Sequence, residues 1–433
     1  MSSKSANFLR DKKKAEREAL HDAAMGGSRS TAETRIARQV LVSQTLLNGV
    51  ENGDDDDDDD DDEEQQAGPD AFLGQGNFSL DTFEDCVEAT EAAMAQSELG
   101  AALIAAQAAL PLASTPEELA VAHDNLGLVL MEDVSRVAEA CEHFSAAEAQ
   151  APGTSYERCL NMAQLTDGAD SLRFYQMGLE IAQNALAELP AARKGEDEEV
   201  TEERAHLKHV SSQAMTSMAD LYLTELCDED VAESECERLL KGAIQAAPGN
   251  AEAFRSYASL HMIKGDAEKS ITFILHAHKL LMKQAEDKKE PLEFMSRVGI
   301  AELLIKLEQW PQAAELINML LDEDDRIAEL WSHAGVAHAN LALMLAEPEQ
   351  TREYQYAAAQ YFISALRLLK QAPDEELDAA VQNQLRALED AGVDLEVVKQ
   401  TMSAQEAAAV DATGTLSDVE SDADEEEGGQ AMG

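Results

Sequence analysis

Between Phe78 and Ala409 apolar residues recur at every third or fourth position in one short segment after another. That spacing puts the apolar residues on one face of an α-helix, whereas a strand would show a period of two. The stretch MADLYLTELCDEDVAESECERLL, residues 218–240, shows the unit of organisation. An apolar-periodic segment runs into Asp228, Glu229 and Asp230, and a second such segment then starts. Neither short helix can bury its stripe alone, so the pair has to lie against other pairs.

The segments superimpose on a 34-residue period of two antiparallel helices. That period asks for large apolar residues at positions 4, 7, 11 and 24, small ones at 8, 20 and 27, and often proline at 32. Residues 120–152 supply Leu126, Gly127, Leu130, Ala140, Phe144, Ala147 and Pro152 at positions 7 to 32, with one extra residue in the turn. In the stretch quoted above, Met215, Met218, Ala219 and Tyr222 fill the first helix, and Cys236, Leu240, Ala243 and Pro248 the second. The acidic elbow is then an inter-helix turn lengthened by about five residues. Residues 251–282 (Phe254, Tyr257, Ala258, Ser270, Ile274, Ala277) and 294–325 (Ile300, Ala301, Leu304, Ala313, Ile317, Leu320) follow the same period. A further unit starts at Trp331, Gly335 and His338 and finishes at Ala358, Phe362 and Ala365, after an insertion of about 11 residues. Residues 83–112 and 155–189 fit less closely. This is the tetratricopeptide pattern, and the expected fold is all-α: a right-handed superhelix of about seven tetratricopeptide-like helix pairs with disordered acidic arms.

Composition agrees with close helix packing, since the apolar residues are mostly Ala and Leu and aromatics are only 4% of 433 residues. Residues 1–50 read as a basic N-terminal arm, with nine Lys/Arg against five Asp/Glu, a net of +4 that leaves −57 for the rest of a chain of formal charge −53. Residues 51–77, with nine consecutive aspartates from Asp54 to Asp62, read as an acidic disordered linker, because like charges at that density resist folding. The repeats then occupy 78–372, capping helices 373–410, and an acidic disordered tail 411–433. Ser417 and Ser421 in the tail each have an acid three residues on, a pattern suited to acid-directed phosphorylation. So acidic a chain repels nucleic acid and anionic membranes and attracts cationic partners. No signal peptide or bilayer-length apolar run is present, which points to a soluble intracellular protein, expected to be monomeric.

Candidate chemistry is sparse. Five cysteines without CxxC spacing read as buried thiols rather than a disulfide or zinc framework. His276 and His278 lie two apart and therefore on different helix faces, His261 and His338 take packing positions, and Asp324 and Asp325 fall in a solvated turn. No phosphate-binding, nucleophile-elbow or metalloprotease motif occurs, so no catalytic residue, metal or cofactor is expected. Positions 2, 5, 9, 12 and 13 of each first helix, which would face the groove of the superhelix, pick out Asp124, Asp220, Glu252, Glu302 and Glu329, with Arg255 and Lys306 the few basic residues among them. That set favours a basic, extended protein ligand and lacks the Lys, Arg and Asn that clamp acidic peptide C-termini. The alternative is that these acids merely solvate an acidic surface.

Two segments go further than the repeat. SYERCLNMAQLTDGADSLRFYQMGLEIA (155–182) and MADLYLTELCDEDVAESECERLLKGAIQAAPGNAEAFRSYASL (218–260) closely resemble the family of dedicated assembly chaperones of large-subunit ribosomal protein four. Residues 303–337 look like the same family's next repeats, and the resemblance extends over roughly 80–372. It implies a chaperone that holds the long basic internal loop of newly made ribosomal protein four in an acidic groove and escorts it into large-subunit assembly. The nine-Asp run, the basic arm and the insertion at 339–357 have no counterpart in that family pattern. A histone chaperone on the same repeats, or a scaffold subunit of a multiprotein complex, are the competing readings.

Overall fold

The computed structural model describes residues 80–190, 198–287 and 291–405. The basic arm, the aspartate run and the acidic tail with Ser417 and Ser421 lie outside the described residues. Helices follow one another as the periodicity predicts: α1 Phe83–Ala95, α2 Leu99–Ala109, α3 Pro116–Met131, α4 Val137–Gln150, α5 Tyr156–Gln164, α6 Gly168–Glu188, α7 Glu198–Leu223 and α8 Ala232–Ala246. Then come α9 Ala251–Ile263, α10 Ala267–Glu286, α11 Phe294–Lys306, α12 Trp310–Glu323, α13 Ala328–Met344, α14 Pro348–Leu369, α15 Glu375–Asp390 and α16 over 395–405. Successive helices pair as the 34-residue period requires, giving seven tetratricopeptide-like pairs among the described residues, followed by α15 and α16. The chain divides into two compact units, one ending at Ser296 and the other starting at Arg297.

In the first unit second helices also pack on the first helix that follows, α2 on α3, α4 on α5, α6 on α7 and α8 on α9. The opening pair is built on alanine: Ala89, Ala93, Ala101, Ala102, Ala105 and Ala106 are buried and join a core that reaches Leu126, Leu130 and Phe144. A second core gathers Met215, Met218, Leu221, Leu239, Leu240, Tyr257 and Leu260 from α7, α8 and α9. Asn250 ties these three helices together. Its Oδ1 accepts from the amides of Glu252 and Ala253 to cap α9, its Nδ2 donates to the Ser212 hydroxyl at 2.9 Å, and Ser212 donates to the Ala243 carbonyl. In the second unit α12 packs on α13 and α13 on α14. Val381, Leu385, Val398 and Met402 of α15 and α16 then cover Phe362 and its neighbours.

The closest approach within a pair falls at position 8. A Cβ added to Gly127 would lie 2.6 Å from the Phe144 ring, and one added to Gly335 would lie 2.6 Å from the Phe362 ring. Both glycines face the aromatic at position 24 of the same pair. Three other pairs place alanine at position 8 and use its carbonyl as an acceptor for position 20. Ser171 donates to Ala163 at 2.6 Å, Ser270 to Ala258 at 2.8 Å, and the Cys236 thiol to Ala219 at 3.2 Å. The poor fit of residues 155–189 to the template comes from its shortened turn, which brings Ser171 to the position-20 place only eight residues after Ala163.

The short turns share one geometry. Ser97, Gly265, Glu308 and Gly392 have φ of 60°, 76°, 58° and 96°. In each case the following amide bonds back five residues, as from Glu98 to Ala93 and from Gln309 to Leu304, and the residue's own amide bonds back three. This is the Schellman closure of a helix end, which favours glycine because an L side chain in the left-handed region crowds its carbonyl.

Two predictions follow from this geometry. Replacing Glu308 by Gly removes a left-handed L residue and should stabilise the protein by about 0.5–1 kcal/mol, while Gly265→Ala should cost about 1 kcal/mol. Urea unfolding followed by circular dichroism checks both signs. Gly127→Ala should destabilise by about 1–3 kcal/mol through overpacking, and Phe144→Leu in the same chain should cost less than it does alone. A strictly additive double variant would contradict the contact.

Candidate functional site

Three of the five nominated acids lie in the first unit, on the first helices α3, α7 and α9, and each meets a residue of the first helix that follows its own. Asp124 on α3 receives two parallel hydrogen bonds from Arg158 on α5, Nε to Oδ1 at 2.8 Å and Nη2 to Oδ2 at 2.9 Å. The Arg158 side chain is only 3% exposed and also donates to Glu148 and to the Ala151 carbonyl. Asp220 on α7 accepts from Arg255 on α9 at 2.8 Å, and its Oδ1 is buried without a donor. Glu252 on α9 accepts from the Ser296 hydroxyl at 2.5 Å. In the second unit Glu302 lies 3.8 Å from Lys306 one turn along α11, and Glu329 stands exposed at the start of α13.

These surroundings divide the five by what they can do. Asp124 and Asp220 each face a guanidinium of the neighbouring repeat, so their charge is largely neutralised where it stands and their first role is to stitch repeats together. Removing Asp124 would leave Arg158 buried with an incomplete set of partners, a loss of about 3–5 kcal/mol for a buried pair broken on one side. Glu252, Glu302 and Glu329 face no arginine. A separate correction concerns Asp324, which the sequence places in a solvated turn. It is buried, and its Oδ1 accepts from both the amide and Nε of Arg326, so it closes the entry to α13 instead of facing water.

Around Glu252 the structure assembles polar groups that the repeat template passes over. His209 on α7, exposed at the surface, takes up a proton less readily than a free imidazole because of local desolvation and neighbouring His206, with Glu252 opposing that shift. His206 meets the Tyr156 hydroxyl of α5 at 3.0 Å. Glu293, exposed just before α11, has its carboxyl pushed above the usual range by local desolvation first and by the charge of Glu252 second, with Ser296 opposing. Tyr156, His206, His209, Glu252, Glu293 and Ser296, all in the first unit, thus run across the three consecutive first helices α5, α7 and α9 to the entry of α11. His206 and His209 belong to the long N-terminal part of α7, before the template's first position, and Glu293 precedes its helix, so periodicity alone could not select them. The local signal was the length of α7, 26 residues against 13 for α9.

The row offers imidazoles and carboxylates that can accept hydrogen bonds, and its carboxylates attract lysine and arginine. Cys159 is buried and its thiol is pushed up to about 11 by that burial. None of the five cysteines is in a disulfide. His261 is buried against Tyr257 and Phe273, and His338 stacks near Tyr354 and Tyr361, so both act in packing. His278 is buried while His276 lies exposed against the Phe254 ring, on separate faces as their spacing requires. No described helix is long and apolar enough to cross a membrane.

No family model matches the chain. Over 312 residues it is 31% identical to a protein of Schizosaccharomyces pombe named probable assembly chaperone of rpl4, covering 69% of this chain and 89% of that one. A protein of the same name from Emericella nidulans is 25% identical over 248 residues, 54% of this chain and 59% of the relative. Among solved structures, residues 1–338 of Acl4, the assembly chaperone of RpL4, superimpose with a TM-score of 0.54 at 22% identity, over 61% of this chain and 98% of that one. The likeness in fold accompanies a sequence match along nearly the whole of the first relative, and on that match the chain belongs to the family of rpl4 assembly chaperones.

Proposed function

We propose that this protein is a dedicated chaperone that binds newly made large-subunit ribosomal protein four and escorts it from cytoplasm to nucleus for assembly, acting by binding and not by catalysis. The observation that carries this reading is the match along 89% of a relative named for that client. The charge distribution supports it: outside a basic arm of +4, the chain holds −57. On this reading extended basic segments of the client meet the acids of each unit separately, Glu252 and Glu293 in the first and Glu302 and Glu329 in the second. Asp124 and Asp220 shape the face of the first unit by fixing neighbouring helices. Screening the client's lysines and arginines prevents the nonspecific phosphate contacts that a free basic segment would make, and ribosomal RNA then displaces the acids with a denser negative field.

The deciding experiment is co-purification at moderate salt, with the full-length chain offered equal amounts of ribosomal protein four and of a histone pair. Retention of the ribosomal protein alone is expected. Retention of histones would replace the reading with a histone chaperone, and retention of neither would leave a scaffold. Glu252→Lys with Glu293→Lys should weaken client binding at least about tenfold with an unchanged thermal midpoint, whereas Asp124→Lys should lower the midpoint itself.

Client binding should also depend on pH through Glu293. Its folded-state carboxyl protonates at a higher pH than an ordinary glutamate, so the negative charge is present above that raised value and is lost as pH falls through it. Affinity should therefore begin to fall at a pH where ordinary glutamates are still ionised, and Glu293→Gln should remove that early phase. Calorimetric titration at stepped pH checks it.

A further inference from the structure

The pair formed by α13 and α14 is the one lengthened by the insertion of about 11 residues, and its helices run to 17 and 22 residues. At its tip Leu343 is 79% exposed and Met344 68%, the two most exposed large apolar side chains among the described residues. Tyr354, 36% exposed, stands on the facing helix. Behind them a run of rings leads back along the pair: Tyr354 to His338 at 5.7 Å, His338 to Tyr361 at 4.7 Å, and Tyr361 to Trp331 at 5.7 Å. Glu347, Glu349 and Glu353 are exposed around the same tip, with Arg352 the one basic residue between them.

A leucine and a methionine left in water at the end of a helix contribute nothing to folding, and burying either would return about 1.5–3 kcal/mol. Polar residues would serve the fold equally well there, so the apolar pair is explained by something that covers it. The surrounding charge selects the cover. A second copy of this chain would set Glu347, Glu349 and Glu353 against their own counterparts, and a nucleic acid or anionic membrane would bring negative charge to the same carboxylates. A segment with an apolar centre and flanking lysines or arginines satisfies both features, its apolar residues on Leu343, Met344 and Tyr354 and its cations on the glutamates and ring faces.

We propose that the α13–α14 tip is a second docking point for the basic client, one that grips an apolar-centred, Lys/Arg-flanked segment separate from the segments held along the first helices. This rests on the chaperone reading above. The test uses the full-length chain, unsubstituted and as Leu343→Ser/Met344→Ser, titrated calorimetrically with purified ribosomal protein four and examined alone by light scattering. The double variant should bind about tenfold more weakly, as expected for loss of an apolar anchor, with unchanged helix content and mass. A separate variant, Glu347→Lys/Glu349→Lys/Glu353→Lys, should also weaken binding and flatten its salt dependence. Equal affinity of the Ser/Ser variant beside a binding unsubstituted chain would overturn the tip assignment alone. A dimer that the Ser/Ser variant dissolves would reassign the tip to self-association. Failure of the unsubstituted chain to bind would remove the chaperone reading and this proposal together.

Discussion

The distance between the two helices of a pair is the constraint on which the rest depends. At position 8 the backbone of the first helix comes so near the second that only glycine or alanine fits, with a phenylalanine ring against Gly127 and Gly335 and a Ser or Cys donor on the carbonyls of Ala163, Ala219 and Ala258. These are two solutions to one problem. An aromatic at position 24 fills the space by dispersion and burial, while a small polar residue at position 20 fastens the backbones by a hydrogen bond. Once that approach is fixed, the large residues at positions 7 and 11 have nowhere to go but between neighbouring pairs, so the core is distributed along each unit.

A chain of charge −53 must also hold itself together against its own field. It places its few cations where they count most. Arg158 and Arg255 join consecutive first helices, Arg297 grips Glu323 through two hydrogen bonds of 2.7 and 2.8 Å, and Lys264 bridges Glu233 and Glu237. Lys241 and Lys264 together hold the Glu237 carboxyl down at about 2. Basic residues used this way in repeat junctions are not available to neutralise the outer acids. The same economy that stabilises the fold therefore leaves its surface field negative.

The fold was legible from single residues because the period-34 rule encodes a steric fact. Gly127, Gly335, Ala219 and Ala258 are small where a Cβ or anything larger would collide, and that need shows in any sequence. The elbow at 228–230 and the insertion after Gly335 also read correctly, since extra residues between positions 8 and 20 can only lengthen the turn or the two helices. The site was legible only in part. Template positions name residues that point in a direction, but they carry no information about who stands opposite. Asp124 looked like an unpartnered groove acid because Arg158 sits 34 residues away in a unit whose turn is shortened. Asp324 looked solvated because its cation, Arg326, lies two residues on and folds back over it. His206, His209 and Glu293 were invisible because they lie outside the repeat altogether.

The division between engaged and unengaged acids bears on how such a surface can release what it holds. Carboxylates locked to buried arginines, as Asp124 is, have fixed geometry and would resist exchange. Carboxylates such as Glu302 and Glu329, with a distant lysine or none, hold a cation through a field that water and salt screen within about 10 Å. Many weak, screened contacts sum to useful affinity for a chain carrying many cations, yet each one can be displaced separately. Phosphates compete for the same cations, and a folded RNA presents them at higher density than this surface presents glutamates. On the proposed chaperone reading, release would need no conformational switch: the rigid ion pairs would keep the repeats in register while the loose acids give way one at a time. A handover of that kind is favoured by this placement of charge, with Arg158 and Arg255 inside the junctions and loosely held glutamates such as Glu302 and Glu329 outside them.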